Sequence, residues 1–230
     1  MTFGTGAFAL MVTGAEIHRA PEKGLLPTVA WQKEGEAPVY GLDGGVYSAS
    51  AAVNWARSLG LFEEFDAINS FDGPSAIERG LAFVPALTGL ACPHWDRKAR
   101  GLWLGMALET TQRDLVQAVL EGVAFRAAEV LTAMNERVAM AGPLSIDGGM
   151  AANGYFLQFL ADILQRDLAV PQSGELTAMG TACLTAEVIG AVAEETDDVS
   201  VVKPRVDLDR HRADFSKAVD LCRSWAPGQA

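Results

Sequence analysis

Three short stretches carry residue types able to do chemistry in a chain of 230 residues. Gly4-Thr5-Gly6 lies between strand-like segments and presents backbone N–H groups and one hydroxyl, a combination that can cradle an anion. As a bare tripeptide it reads equally as a tight hairpin turn. Asp147-Gly148-Gly149 follows a short apolar run and precedes a helical pattern beginning near Ala151. Glycines there allow a ligand to approach the backbone, and a helix N-terminus favours negative charge. A purely steric turn is the competing reading. Asn153, one turn into that helix, points toward the same space and can hydrogen-bond a polar ligand edge, or is simply an N-terminal helix residue. Asn54, three residues before Arg57 on an earlier helical pattern, reads on its own as part of a solvated face.

Other chemistries lack their residues. His18, His94 and His211 are isolated in sequence, which indicates neither a metal site nor a Ser/His/Asp constellation. The pairs Glu63-Glu64 and Glu194-Glu195 read as solvated charge. Neither a Gly-x-x-x-x-Gly-Lys-Ser/Thr loop nor a Gly-x-Gly-x-x-Gly run after a strand occurs, so a bound nucleotide requires another architecture.

The elements that must hold these residues follow from periodicity. Phe8 to Thr13, Leu25 to Gln32 and Ala37 to Leu42 are β-prone runs separated by glycine turns, as in antiparallel hairpins. From Val46 to Leu59 apolar residues recur at helical spacing. Residues 61–80 are acidic turns and short helices, Leu81 to Pro85 a buried strand, and Ala86 to Gly101 a loop too long to be idle. Thr111 and Asp114 form a capping-box start for the longest helix, which reaches Met140. Pro143 to Ile146 and Leu168 to Val170 read as strands, Ala151 to Leu164 and Leu176 to Ile189 as helices. The order predicts an α/β domain with a mixed sheet, its antiparallel part first and helices on its faces. Residues 191–230 read as an acidic linker, including Glu194 to Asp198, and a peripheral C-terminal helix.

Composition narrows the function classes. Half of the residues are hydrophobic, ample for a core. With 18 Lys+Arg against 29 Asp+Glu, a net charge of −11, counterion release cannot drive binding to a phosphate backbone, and nucleic acid is not an expected partner. Cys92, Cys183 and Cys222 are widely spaced and odd in number, as expected of reduced cytoplasmic thiols. No apolar run approaches the roughly 20 residues that span a bilayer, so no membrane is expected as a partner.

Taken together, Gly4-Thr5-Gly6-Ala7-Phe8, Gly24-Leu25-Leu26-Pro27-Thr28-Val29-Ala30-Trp31, and Phe83 to Leu90 followed by Pro93-His94-Trp95-Asp96 and Ala99-Arg100-Gly101 resemble the FGGY carbohydrate kinases, glycerol kinases in particular. Gly101 to Met106 through Glu121 is similar to that family's second signature, and Ile146 to Asn153 to its adenosine motif. The resemblance covers about residues 3–190. It implies an actin-like, ribonuclease H-like domain at 1–190 that binds ATP or ADP, with Mg²⁺, against a companion N-terminal kinase domain that grips glycerol or a related polyol or sugar. It assigns Gly4, Thr5 and Gly6 to the β/γ-phosphate turn and Gly148, Gly149 and Asn153 to the adenine-ribose end. Ser50 and Asn54 fall on the nucleotide's side of the cleft, and Phe8 against the substrate's carbon chain. Ser50 stands where a glycine is common in the family and Asn54 where a longer Gln is common; Pro27 and Ala91-Cys92 also depart from the usual pattern. The family's first phosphate turn, its polyol-gripping residues and its Asp base precede the Gly-Thr-Gly turn. The resemblance therefore implies a C-terminal domain without a catalytic residue of its own, inactive alone, from a truncated, split or degraded protein. A face left uncovered in this way is expected to favour homo-oligomers. A non-catalytic remnant that binds a partner, and a kinase for another sugar such as xylulose, are the alternative functions.

Overall fold

A computed structural model describes residues 1–172, 176–191 and 198–225. The expected Glu194 to Asp197 part of the acidic linker lies outside the described residues. The chain opens with β1 (Thr2–Phe3) and β2 (Ala7–Gly14), then β3 (Leu26–Trp31), β4 (Val39–Val46) and α1 (Ser50–Ser58). Two single 3-10 turns, Phe65–Ile68 and Ile77–Arg79, lead to β5 (Ala82–Val84) and β6 (Leu102–Leu104). There follow α2 (Gln112–Arg137), β7 (Leu144–Ser145), β8 (Asp147–Gly148), a 3-10 turn (Gly149–Ala152) and α3 (Gly154–Leu164). The chain continues through β9 (Leu168–Pro171), α4 (Leu176–Val188), β10 (Val199–Val202) and α5 (Arg212–Ser224).

The main sheet runs β3-β4-β2-β1-β8, antiparallel through the hairpins and parallel where β1 meets β8. This is the mixed sheet expected, with the antiparallel strands first. A second sheet, β10-β9-β7, continues from the β7–β8 segment, and β5 and β6 form a separate pair. One face of β2 and β4 is apolar and buried, at Ala7, Ala9, Leu42 and Val46. Alternation then puts Phe8, Leu10 and Val12 on the outward face, each about half exposed.

α2 is buried along most of its length, from Val116 to Ala128 on nearly every side, because it packs against sheet, helices and loop at once. Its start is the expected capping box: Thr111 N–H donates to Asp114 Oδ2 (2.8 Å) and Asp114 N–H to Thr111 Oγ1 (3.3 Å). The Thr111 bonds hold the Asp114 carboxyl down to about 2. The long loop of residues 86–101 works as packing: Arg126, 1% exposed, donates to Cys92 O (2.7 Å), and Trp95 Nε1 donates to Gly24 O (2.8 Å).

Four boundaries differ from the sequence reading. Val46 closes β4 instead of opening α1, since its side chain belongs to the buried strand face and the helix starts after Tyr47-Ser48-Ala49. Asp147–Gly148 is a strand paired with Thr2–Phe3, and a 3-10 turn delays α3 to Gly154. β1, β6 and β10 are two to four residues long, too short to show alternation. Residues 198–225 are more than a linker and a peripheral helix. β10 pairs with β9, and α5 buries Phe215, Ala218, Val219 and Cys222, with Phe215 stacked on Phe125 of α2 at 4.6 Å.

Candidate nucleotide cavity

A cavity of about 420 Å³ opens between α1 and the 3-10 turn before α3. One wall is Ser50, Val53 and Asn54; the opposite wall is Gly149, Met150, Ala152 and Asn153, with Leu120 of α2 as the floor. Two sequence-predicted clusters almost one hundred residues apart therefore face one space. The third wall, Phe65, Asp66, Ile68 and Asn69, was not legible in the sequence. It lies in a mixed acidic stretch whose amphipathic period is broken by turns, and only its contacts reveal it.

These contacts explain how the walls are held. Asn153 is the N-cap of α3: its Oδ1 accepts from Phe156 N–H (2.8 Å), while its Nδ2 donates across the cavity edge to Ile68 O (2.9 Å). Asn69 answers in the other direction, its Oδ1 accepting from Gly154 N–H and its carbonyl from Tyr155 N–H (3.1 Å). The asparagine expected to meet a ligand thus also staples two walls together.

The two glycines of the second turn separate into different jobs. Gly148 has φ +89°, and a Cβ there would stand 2.4 Å from Phe3 O, so this position is dictated by the close pairing of β8 with β1. Gly148 does not line the cavity. A Cβ on Gly149 meets nothing within 4 Å, and Gly149 faces the open space. The steric reading fits the first glycine, and the ligand reading stays available for the second.

Gly4-Thr5-Gly6 forms the β1–β2 turn, as the hairpin reading required. Its carbonyls cap α1, whose N-cap Ala49 has no side chain to do so: Gly4 O accepts from Ser50 N–H (3.1 Å), and Thr5 O from Ala49 and Ala51 N–H (3.0 and 3.1 Å). The first amides of α1 are therefore engaged, and the turn abuts the cavity through Ser50 without lining it. Ser50 Oγ is buried behind the cavity wall without a hydrogen-bond partner among the described residues. Phe8, 58% exposed, lies on the outward sheet face opposite Gly45 and away from the cavity.

Among the described lining residues Asp66 is the one titratable group, so the cavity is suited to binding and carries no acid–base pair of its own. Behind its walls, burial pushes the Glu121 carboxyl up to about 7 against the bonds of Tyr155, Ala76 and Ile77. Among the described residues, no three His, Cys, Asp or Glu side chains gather to hold a metal ion, no helix is long and apolar enough to cross a membrane, and all three cysteines are free thiols.

Comparison with known proteins gives consistent results. The C-terminal domain model of the FGGY family of carbohydrate kinases matches residues 1–187. The glycerol kinase of Thermus brockianus is 41% identical over 235 residues, and that of Haloarcula marismortui 37% over 241 residues. These alignments take in 97% and 98% of this chain but 47% and 46% of the relatives, so the chain spans about half their length. Among solved structures, Plasmodium falciparum glycerol kinase with ADP superposes with a TM-score of 0.78 at 26% identity, over 100% of this chain and 47% of that one. A xylulose kinase from Brucella ovis reaches 0.81 at 22% identity, over 97% and 48% respectively, which shows a shared fold.

Proposed function

This chain belongs to the FGGY family of carbohydrate kinases as a C-terminal domain with an actin-like α/β fold, and from that premise we propose that it is the nucleotide-binding half of an ATP-dependent polyol kinase. The observation that supports this most is the meeting of Ser50 and Asn54 with Gly149 and Asn153 around one cavity. Its 420 Å³ falls within the roughly 300–1,000 Å³ of small-molecule sites, and its walls are largely apolar, as a purine requires. The exposed Asn54 amide on the α1 wall supplies a donor or acceptor for the ligand's polar edge. Gly4, Thr5 and Gly6, adjoining Ser50, receive the phosphate end in this reading, and Gly148 shapes the turn that presents Gly149. Bound ATP supplies the phosphoryl group; this chain's residues bind and orient it. Because the chain is an acidic −11, affinity for that anion must come from local groups instead of net charge.

Glycerol is the proposed acceptor, giving ADP and glycerol 3-phosphate, because relatives 34–41% identical are glycerol kinases. Phe8 on the outward sheet face is the proposed contact to its carbon chain, and the base that takes the hydroxyl proton belongs to the companion N-terminal part. Mg²⁺ is proposed as the accompanying ion, held mainly by that companion part and by the nucleotide's phosphates. The location proposed is the cytoplasm, which suits three free thiols.

Titration calorimetry with Mg-ATP tests the reading. Binding at millimolar concentration or tighter, weakened by Thr5→Ala and by Gly149→Ala, together with no glycerol-dependent ADP formation by this chain alone, is the expected outcome. Absence of binding at saturating ATP would leave a non-catalytic module, and robust turnover by the chain alone would place the base within it.

A further inference from the structure

Glu121 is 2% exposed in the middle of α2 and takes no part in the cavity lining. Its Oε1 accepts from Ala76 N–H (2.7 Å) and from the Tyr155 hydroxyl, its Oε2 from Ile77 N–H (2.9 Å). The Tyr155 oxygen accepts in turn from Gln117 Nε2 (2.8 Å), and Gln117 Nε2 also approaches Pro74 O (3.3 Å). Arg79, the nearby cation, is spent on Asp114 and on Gln117 Oε1 (2.6 Å). One carboxylate therefore ties three segments that have no regular pairing with each other: the turn at 75–79, α2 and the first turn of α3.

Burying a carboxylate without a cation of its own is costly, and an apolar side chain would fill the same space more cheaply. What a carboxylate supplies in return is orientation, because three donors must converge on two oxygens. Tyr155 is two residues beyond Asn153, its N–H is bonded to Asn69 O, and its ring is wedged between Phe71 (4.7 Å) and Phe159 (5.9 Å). Its position fixes the α3 end of the cavity and the Asn69 wall together.

We propose that Glu121, acting through Tyr155, is a positioning residue that holds the α3 and Asn69 walls at the separation that admits the ligand. This rests on the nucleotide reading of the cavity. It also makes the ligand affinity dependent on pH. The ionised carboxylate satisfies all three donors, whereas protonation turns one acceptor oxygen into a donor facing backbone N–H groups. Burial raises the carboxyl to about 7, so the ionised brace is complete above neutrality and relaxes below it. The charged and titratable groups around the site are Arg79 and Glu78 from the turn, Asp114 from α2 and Tyr155 from α3.

Tyr155→Phe and Glu121→Gln in the full chain test this, with amide hydrogen exchange and Mg-ATP calorimetry on either side of neutrality. Tyr155→Phe keeps the ring packing and removes only the hydroxyl, with its donation to Glu121 and its acceptance from Gln117, so it folds if Glu121→Gln does not. Both variants are expected to speed exchange at the Tyr155 and Phe156 amides about tenfold, the equivalent of one hydrogen bond lost, and to weaken ATP by a similar factor. Wild-type affinity should fall on acidification more steeply than that of Glu121→Gln; titration of the nucleotide phosphate is common to both curves and cancels. Unchanged exchange, or faster exchange with unchanged affinity and an identical pH slope, overturns the proposal. A wild-type chain without ATP affinity overturns the functional reading itself. The exchange rates then decide alone, protection lost in both variants keeping Glu121 as the brace of this wall and protection retained removing it.

Discussion

Asn153→Ala is the substitution for which the structure gives the sharpest number. The side chain makes two bonds with separate functions. Oδ1 caps α3 through Phe156 N–H at 2.8 Å, and Nδ2 donates to the carbonyl of Ile68, a residue 3% exposed, at 2.9 Å. Loss of an Asn N-cap costs about 1 kcal/mol. Loss of the donor to a largely buried carbonyl costs about another 1 kcal/mol, because that oxygen is then left without its partner. The sum, about 2 kcal/mol, is a large fraction of the stability of a domain. Asn153→Ser divides the two effects, since serine caps a helix comparably but cannot reach Ile68, and it should cost about 1 kcal/mol. Urea denaturation with an unchanged slope m reads both values directly. A loss below about 0.5 kcal/mol for Asn153→Ala, within the range of ordinary surface substitutions, would refute the claim that this residue staples the walls.

The two glycines of the second turn should behave oppositely. Gly148→Ala places a Cβ 2.4 Å from Phe3 O at φ +89° and should destabilise the chain by at least about 2 kcal/mol in the same urea assay. Gly149→Ala meets open space, should stay within about 0.5 kcal/mol of wild type, and should weaken ATP by intruding on the cavity. The outward sheet face, with Phe8 58%, Leu10 53% and Leu26 49% exposed, should drive self-association visible by light scattering, and Leu10→Lys should suppress it; a clean monomer at high concentration would contradict this.

What was legible in the sequence followed from repetition and from marked ends. The 26 residues of α2 gave many turns over which a period could show, and Thr111 with Asp114 marked its start. The hairpins were legible from runs of β-prone residues between glycines, and the α/β order from the alternation of periods. The strands that were missed are two to four residues long and exist because a neighbour offers a paired edge, a tertiary cause that leaves no periodic trace. A single apolar residue such as Val46 fits either period, and only the buried face of β4 places it in the strand. Gly149 and Asn153 are legible as a glycine turn and an amide at a helix start, whereas Ser50 and Asn54 come only from the resemblance to the kinase family. Their meeting is not legible, and neither is the Phe65 to Asn69 wall, whose place is set by bonds to Asn153, Gly154 and Tyr155 more than eighty residues away.

That division bears on how a ligand can be held here. Several polar groups assigned to it are already committed: the Asn153 side chain with both of its functional atoms, and the first backbone amides of α1 to the carbonyls of Gly4 and Thr5. Left over are the exposed side chains of Asn54 and Asp66, the open space at Gly149, and apolar faces at Val53, Ile68, Leu120 and Met150. A cavity of this kind recognises its ligand by shape, with few polar contacts, and its selectivity depends on the distance between walls more than on any one donor. A position such as Asn54, an exposed amide on the cavity wall, then becomes the place where a substitution changes affinity without changing the fold. Positions such as Asn153 change both. Mutations that weaken binding should therefore be interpreted only alongside their effect on stability, since in this cavity the residues that shape the site are largely the residues that hold it together.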